Sequence, residues 1–283
     1  MVAPSSPFDR TLVRAGMAWL GRRYRVRFDP SLFSRTGFLA GDDARRLSEL
    51  NAALADSETQ AIIAARGGYG LGRIAPSLEL GPLVEHPKWI VGFSDLTALH
   101  LEAARVGVMS LHAHNVAGLG PGDGPARDAW VSALERPAAR TFERLEVLHA
   151  GEAEGPLAGG NLKVLFMAHA AGRLRLPRGA ILLLEDVSET SYRIDRMLTA
   201  LLQAGALAQV SGLALGEFTD CSPGRYSVPT REVLSERLGL LGVPVLAGLP
   251  VGHGRHNAPL VLGAPARLST RAGTLTVDAA REH

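Results

Sequence analysis

The chain of 283 residues has one cysteine, Cys221, and only two lysines, Lys88 and Lys163. One cysteine excludes an internal disulfide framework. Lysine is scarce because nearly all basic residues are arginine, which reads as codon usage before it reads as function. Basic and acidic residues number 30 and 28, are interspersed, and leave a net charge of only +2. No block of one sign exists, so no nucleic-acid partner is expected. No apolar run reaches the roughly 18 residues that a membrane span needs. The N-terminus MVAPSSPFDR lacks a basic segment followed by a long apolar one, so no signal peptide is expected and the localisation reads as cytoplasmic. Aromatic residues are few, with three tryptophans at 19, 89 and 130.

What is present suits one large globular domain or two smaller ones, with 46% hydrophobic and 20% charged residues. Met1–Pro4 reads as the end of a strand whose start is missing. Residues 24–28 alternate like a strand. Over 42–55, Ala44, Leu47, Leu50 and Leu54 share one helical face, and Asp42 or Asp43 caps it. Ala61–Ala65 is a short apolar run, as in a buried parallel strand, and ends at Arg66-Gly67-Gly68-Tyr69-Gly70. A strand over 89–93, a helix over 95–106 and a strand over 107–112 follow. This β-α-β-α order predicts a doubly wound parallel sheet, with ligands at the carboxyl ends of its strands. Residues 115–128 read as loop and 126–136 as helix. The second half carries a strand at 143–149, a glycine-rich loop at 155–160 and a helix from Asn161. Strands at 180–185 and 209–216, helices at 190–204 and 229–240, and short strands near 244–247, 265–269 and 273–278 complete it. A domain boundary falls within about 137–155, dividing the chain into 1–140 and 141–283.

Ser94 sits where the apolar run Ile90-Val91-Gly92-Phe93 gives way to a helical pattern. It suits a helix cap, with Asp95 favoured by the dipole. It equally suits a nucleophile lifted clear of the sheet on a strand-turn-helix elbow. The usual esterase elbow has a second glycine where this chain has Leu96, so an ordinary α/β-hydrolase is disfavoured. A nucleophilic serine needs a base. Of nine histidines, His253 stands out because Gly252 and Gly254 leave its ring uncrowded. His112-x-His114 and His253-x-x-His256 lack the helical HExxH context of a metal site, so neither metal nor cofactor is expected. A base needs an orienting acid. The buried run Ile181–Leu184 ends in Glu185 and Asp186, one free for that role and one for capping a following helix. The glycine turn 67–70 lacks the residues of a P-loop and suits close approach of backbone N–H groups to an oxyanion.

Several stretches together resemble the LD-carboxypeptidases, serine peptidases that include the microcin C immunity peptidase. They are Ala3-Pro4-Ser5-Ser6, Phe38-Leu39-Ala40-Gly41-Asp42, Ala65–Gly70, Gly92-Phe93-Ser94-Asp95, Gly159-Gly160-Asn161-Leu162, LLLEDVSETSYRIDRMLTAL at 182–201, and Gly248–His253. The resemblance implies a flavodoxin-like N-terminal domain and a smaller C-terminal β/α domain, with the site between them. It implies Ser94 as nucleophile, His253 as base and Glu185 as acid, with the oxyanion held by the amides of Asp95 and Gly68. It further implies release of a terminal D-Ala from muropeptide tetrapeptides, and a homodimer. The family often has His-Gly-Pro where this chain has His112-Ala113-His114. Arg66, Arg73 and Arg196 are candidates for the substrate carboxylate, and Tyr69 and Asn161 for other contacts. An immunity-type substrate carrying a nucleotide needs an aromatic platform, for which Trp130 is the candidate. A catalytically silent binding protein of the same fold is the third reading.

Overall fold

The computed structural model describes residues 1–279. The first half builds a small sheet from β1 (Ala61–Ile63), β2 (Trp89–Gly92) and β3 (Ser110–His112). The three run parallel and in order, as apolar strands joined by helical crossovers must. Val2 adds one parallel bridge at Ala64. The expected helix forms over Asp43–Ala55, capped by Asp42, whose carboxylate accepts from Arg45 N. Leu50 and Leu54 are buried as predicted, but Ala44 is exposed and Arg46 takes its place in the interior.

The second half supplies β4 (Arg140–Phe142), β5 (Glu146–His149), β6 (Glu152–Asn161), β7 (Ile181–Val187), β8 (Gly212–Thr219) and β9 (Val245–Ala247). It then adds β10 (Leu260–Leu262), β11 (Pro265–Ser269) and β12 (Thr274–Val277). Eight of these nine form one sheet in the order β4-β12-β11-β6-β7-β8-β9-β5. Its centre, β6-β7-β8-β9, is parallel. β10 instead pairs antiparallel with β3, so the fourth strand of the first sheet comes from the second half of the chain.

Residues 115–128, expected as loop, hold a short helix at Val116–Leu119, and two further expectations fail for physical reasons. Residues 24–28 form no strand. A strand needs a neighbour to pair its N–H and C=O groups, and here the Met1 amino group supplies a bond to Arg27 O at 2.6 Å. The glycines of 155–160 are not a loop but part of β6. A Cβ at Gly155 would lie 1.9 Å from Gly179 O, and one at Gly160 would lie 2.6 Å from Thr97 Oγ1. Glycine there admits close approach of neighbouring elements rather than a turn. A cavity of about 1350 Å³ is lined by Ala61, Ile62 and Ile63 of β1 among others and by none of the expected site residues.

Candidate active site

β2 delivers Ser94 on a sharp turn. Its φ is +67°, in the left-handed region that L-residues other than glycine seldom occupy. Its side chain caps nothing: no capping bond is formed at the 3₁₀ turn Ser94–Leu96 or at the helix Thr97–Arg105 behind it. The turn is held from several sides. Phe93 N donates to Asn115 Oδ1 at 3.3 Å, and Leu71 N donates to Asp95 Oδ2 at 2.9 Å. Burial pushes the Asp95 carboxyl pKa up. His100 lies beneath, with Nε2 2.9 Å from Gly92 O and Nδ1 2.8 Å from Ser110 Oγ. Burial depresses its pKa to about 4, so the ring is neutral at pH 7. A neutral ring bonded this way donates from Nε2 and accepts at Nδ1, a tautomer assigned from the network.

The glycine turn lies directly against this elbow. A Cβ at Gly67 would sit 2.9 Å from Ser94 Cβ and 3.2 Å from Ser94 Oγ. The next peptide carries the Gly68 N–H, at a residue with φ +108°. Ser6 ties the turn down: Tyr69 N donates to Ser6 Oγ at 3.0 Å, and Ser6 N donates to Gly67 O at 3.3 Å. Arg46, wholly buried, donates from Nη1 to Gly70 O at 2.8 Å and also to Pro4 O.

From the other half, β7 is apolar and buried up to Glu185, which has no solvent exposure. Its Oε2 lies 2.7 Å from His253 Nδ1. Gly252, at φ +130°, presses on this carboxylate: a Cβ there would lie 3.0 Å from Glu185 Oε2. The two halves meet at an aromatic contact, with the Phe93 and His253 rings 4.8 Å apart between centroids. Ser94 follows Phe93 directly in the chain, so the residue next to Ser94 touches the His253 ring. Ser94 Oγ forms no hydrogen bond among the described residues. Catalytic bonds of this kind are commonly long before substrate arrives.

Asp186, beside Glu185, does different work. It accepts from Val187 N at 2.8 Å, Lys163 N at 3.0 Å and Asn161 Nδ2 at 3.1 Å. It therefore fastens the start of the helix Leu162–Ala170, not the helix near Glu189 that the sequence suggested. Burial pushes its pKa up to about 6.

The expected substrate contacts are scattered. Tyr69 is exposed beside the glycine turn, its ring 5.7 Å from that of Phe38, also exposed. Arg66 is exposed and donates to Pro7 O at 2.8 Å. Arg73 is occupied by Asp43 at 2.8 Å. Asn161 is buried and spends Oδ1 on Val164 N and Nδ2 on Asp186. Arg196 lies on an outer helix face over the Tyr192 ring, 5.4 Å from its centroid. Trp130 is a correction: it is fully buried, donates to His114 O at 3.1 Å, and offers no platform. Its amphipathic-helix setting hid this, because core and cleft both take aromatic residues. Sequence reasoning missed His100 and Arg46: Arg46 acts on the carbonyls of Pro4 and Gly70, remote in sequence, and His100 ties the end of β2 to β3.

Comparison with known proteins adds to this geometry. Residues 1–113 match the model of the LD-carboxypeptidase N-terminal domain, and residues 154–268 match that of the LD-carboxypeptidase C-terminal domain. The murein tetrapeptide carboxypeptidase of Pseudomonas aeruginosa is 35% identical over 272 residues, covering 91% of this chain and 88% of that protein. The crystal structure of muramoyltetrapeptide carboxypeptidase from Oxalobacter formigenes superposes with a TM-score of 0.87 at 26% identity, covering 99% of this chain and 98% of the other. The microcin C7 self-immunity protein, solved in complex with aspartyl sulfamoyl adenosine, superposes with a TM-score of 0.86 at 20% identity, covering 99% and 95%. At that identity the likeness is one of fold.

Proposed function

We propose that this chain, which belongs to the LD-carboxypeptidase family of peptidases, is a serine-type enzyme that removes the terminal D-Ala from murein tetrapeptides. The observation that carries the reading is the pairing of His253 with the buried Glu185, with the His253 ring packed on Phe93, the residue before Ser94. His253 takes the proton of Ser94 Oγ through Nε2. Oγ attacks the carbonyl of the amide between the L-configured centre and the D-residue. The resulting oxyanion lies against the amides of Asp95 and Gly68. His253 then protonates the departing amine, and water, activated by the same ring, releases the acyl group from Ser94. Glu185 holds Nδ1–H and stabilises the imidazolium that forms in each half-reaction. Its lack of solvent contact favours this, since a charge pair in a low-dielectric interior is screened little.

The positive φ of Ser94 supports the nucleophilic role. A left-handed serine costs roughly 1–2 kcal/mol, and such strain persists where the surroundings enforce it. The buried Trp130 weighs against a nucleotide-bearing antibiotic as substrate, because the candidate ring is not available for stacking. The reading also places the enzyme in the cytoplasm as a homodimer. No helix among the described residues is long and apolar enough to cross a membrane.

The test is turnover. Purified protein is incubated with a muramoyl tetrapeptide, with its analogue ending in L-Ala, and with an aminoacyl sulfamoyl adenylate. Release of D-Ala from the first alone, lost in Ser94→Ala, is expected. Faster turnover of the adenylate would replace this reading with the immunity-type one, and turnover of none would leave the silent binding protein. Light scattering after size exclusion gives the oligomeric state.

A further inference from the structure

The segment that carries His253 is anchored in both sheets. It leaves the large sheet at β9 and enters the small sheet at β10, beside β3. His112, the last residue of β3, is paired in register with Leu260. Three residues before Leu260 stands Asn257, whose Oδ1 accepts from Gly252 N at 3.0 Å. Asn257 therefore holds the N–H of Gly252, the residue immediately before His253.

His112 is completely buried, and neither ring nitrogen makes a well-formed hydrogen bond, although the Asn257 side chain lies close enough to act on the ring as a weak partner. Asn257 is 5% exposed, and its Nδ2 is likewise buried without a well-formed bond. The two side chains act on each other: burial and the neighbouring His100, His253 and His114 rings lower the His112 pKa, and the Asn257 side chain opposes them. The Phe93 ring stands among these groups, 5.8 Å from His112, 6.1 Å from His114 and 4.8 Å from His253. Two buried, complementary polar groups at one site, neither well bonded, call for a partner. The loop 248–257 that carries Asn257 turns on two glycines at positive φ, Gly248 at +88° and Gly252 at +130°.

We propose that His112 and Asn257 are positioning residues for His253: a hydrogen bond between the His112 ring and the Asn257 amide draws the loop 248–257 toward Ser94 and fixes the base in its working orientation. Asn257 Oδ1 is already held by Gly252 N, so the free Nδ2 donates to the His112 ring nitrogen that carries no proton, of which a neutral imidazole has one. Through Gly252 N the bond sets the position of the next residue, His253, relative to a nucleophile that is otherwise unbonded. The device spans the two sheets, so it couples their relative placement to the catalytic contact. It rests on the reading of His253 as the base.

The experiment uses the full chain with His112→Phe, His112→Gln, Asn257→Ala and the His112→Phe/Asn257→Ala pair. Phe keeps a ring and loses both hydrogen-bonding atoms; Gln restores a donor and an acceptor. His112→Phe is expected to lower kcat about 10- to 100-fold with KM changed less than about 3-fold, because a base misplaced by an ångström costs that order in rate. His112→Gln recovers most of the loss, and the double variant is no worse than the slower single one. Hydrogen exchange over 248–257 in His112→Phe is expected to accelerate about 10-fold, with the rest of the protein unchanged. Additive losses, a loss confined to KM, equal damage in His112→Gln, or unchanged loop exchange would each overturn the proposal. If the wild type releases no D-Ala, the proposed function fails, while loop exchange still decides the positioning role. If His112→Phe does not fold, the His112 ring nitrogen resonances of the wild type decide it: movement on adding the tripeptide product supports the bond, and no movement overturns it.

Discussion

His253 Nδ1 and Glu185 Oε2 lie 2.7 Å apart, and the carboxylate is wholly shielded from solvent. The other oxygen, Oε1, is buried without a hydrogen-bond partner among the described residues. Glu185 thus directs its bonding at one imidazole. Such a carboxylate fixes the ring so that Nδ1 carries the proton and Nε2 is free to accept one.

Glu185→Gln keeps the shape and removes the charge. The amide no longer stabilises the imidazolium and permits the wrong tautomer. A fall in kcat of about 10²- to 10⁴-fold is expected, with the circular dichroism spectrum retained. Steady-state D-Ala release measures it; a variant within threefold of wild type would remove Glu185 from the mechanism.

Ser94 trades stability for position. Ser94→Ala and Ser94→Gly both lose hydrolysis, but glycine adopts φ +67° without a Cβ penalty. Ser94→Gly is expected to be more stable than Ser94→Ala by about 1 kcal/mol. Urea denaturation of the two inactive variants reads the difference. Equal midpoints and slopes would show that the turn carries no such strain.

Gly67 is required by space. A methyl group there would meet Ser94 Cβ at 2.9 Å. Gly67→Ala is expected to push the hydroxyl off its line of attack and lower kcat/KM by about 10²-fold. Stopped assays on the purified variant, alongside its melting curve, separate this from unfolding. Unaltered kcat/KM would show that the turn yields without moving Ser94.

Asp186 makes stability depend on pH. Burial raises its carboxyl from the ordinary 3.8 to about 6 in the folded protein. Between those values the native state holds more protons than the unfolded state, so stability falls as pH rises. The contribution is fully present below about pH 4 and is lost as pH passes about 6. Its size is on the order of 3 kcal/mol. Asp186→Asn cannot titrate, so the wild type is expected to lose stability relative to it from pH 4 to pH 7. Chemical denaturation of both proteins at the two pH values measures the change; a constant difference would contradict it.

Local chemistry made much of the protein legible. Apolar runs of three to five residues marked β1, β2 and the core of β7, because a strand buried on both faces has few polar positions. Asp42 or Asp43 marked a helix start, and the structure uses Asp42; the helix expected from Asn161 begins at Leu162, with Asn161 as its cap, because a capping side chain must precede the first unpaired N–H groups. Ser94 and His253 stood out for the same kind of reason, one at a strand end and one between glycines, whereas the assignment of Glu185 rather than Asp186 as the acid came from the resemblance to the LD-carboxypeptidases.

Other features depend on neighbours that no local pattern names. Gly155, Gly159 and Gly160 read as a loop because glycine usually marks one. Only the closeness of Gly179 and Thr97 shows why a strand needs them. Arg46 lies outside the apolar face that the sequence pattern marks on its helix, and its burial follows from the carbonyls of Pro4 and Gly70 converging on it. Trp130 suited a cleft as well as a core until the fold enclosed it. β10 crosses from the second half of the chain to the first sheet. The sequence determined which chemical groups were available and where the chain would bend. Which groups face one another was decided by tertiary packing, since contacts between residues far apart form only when whole faces are buried together.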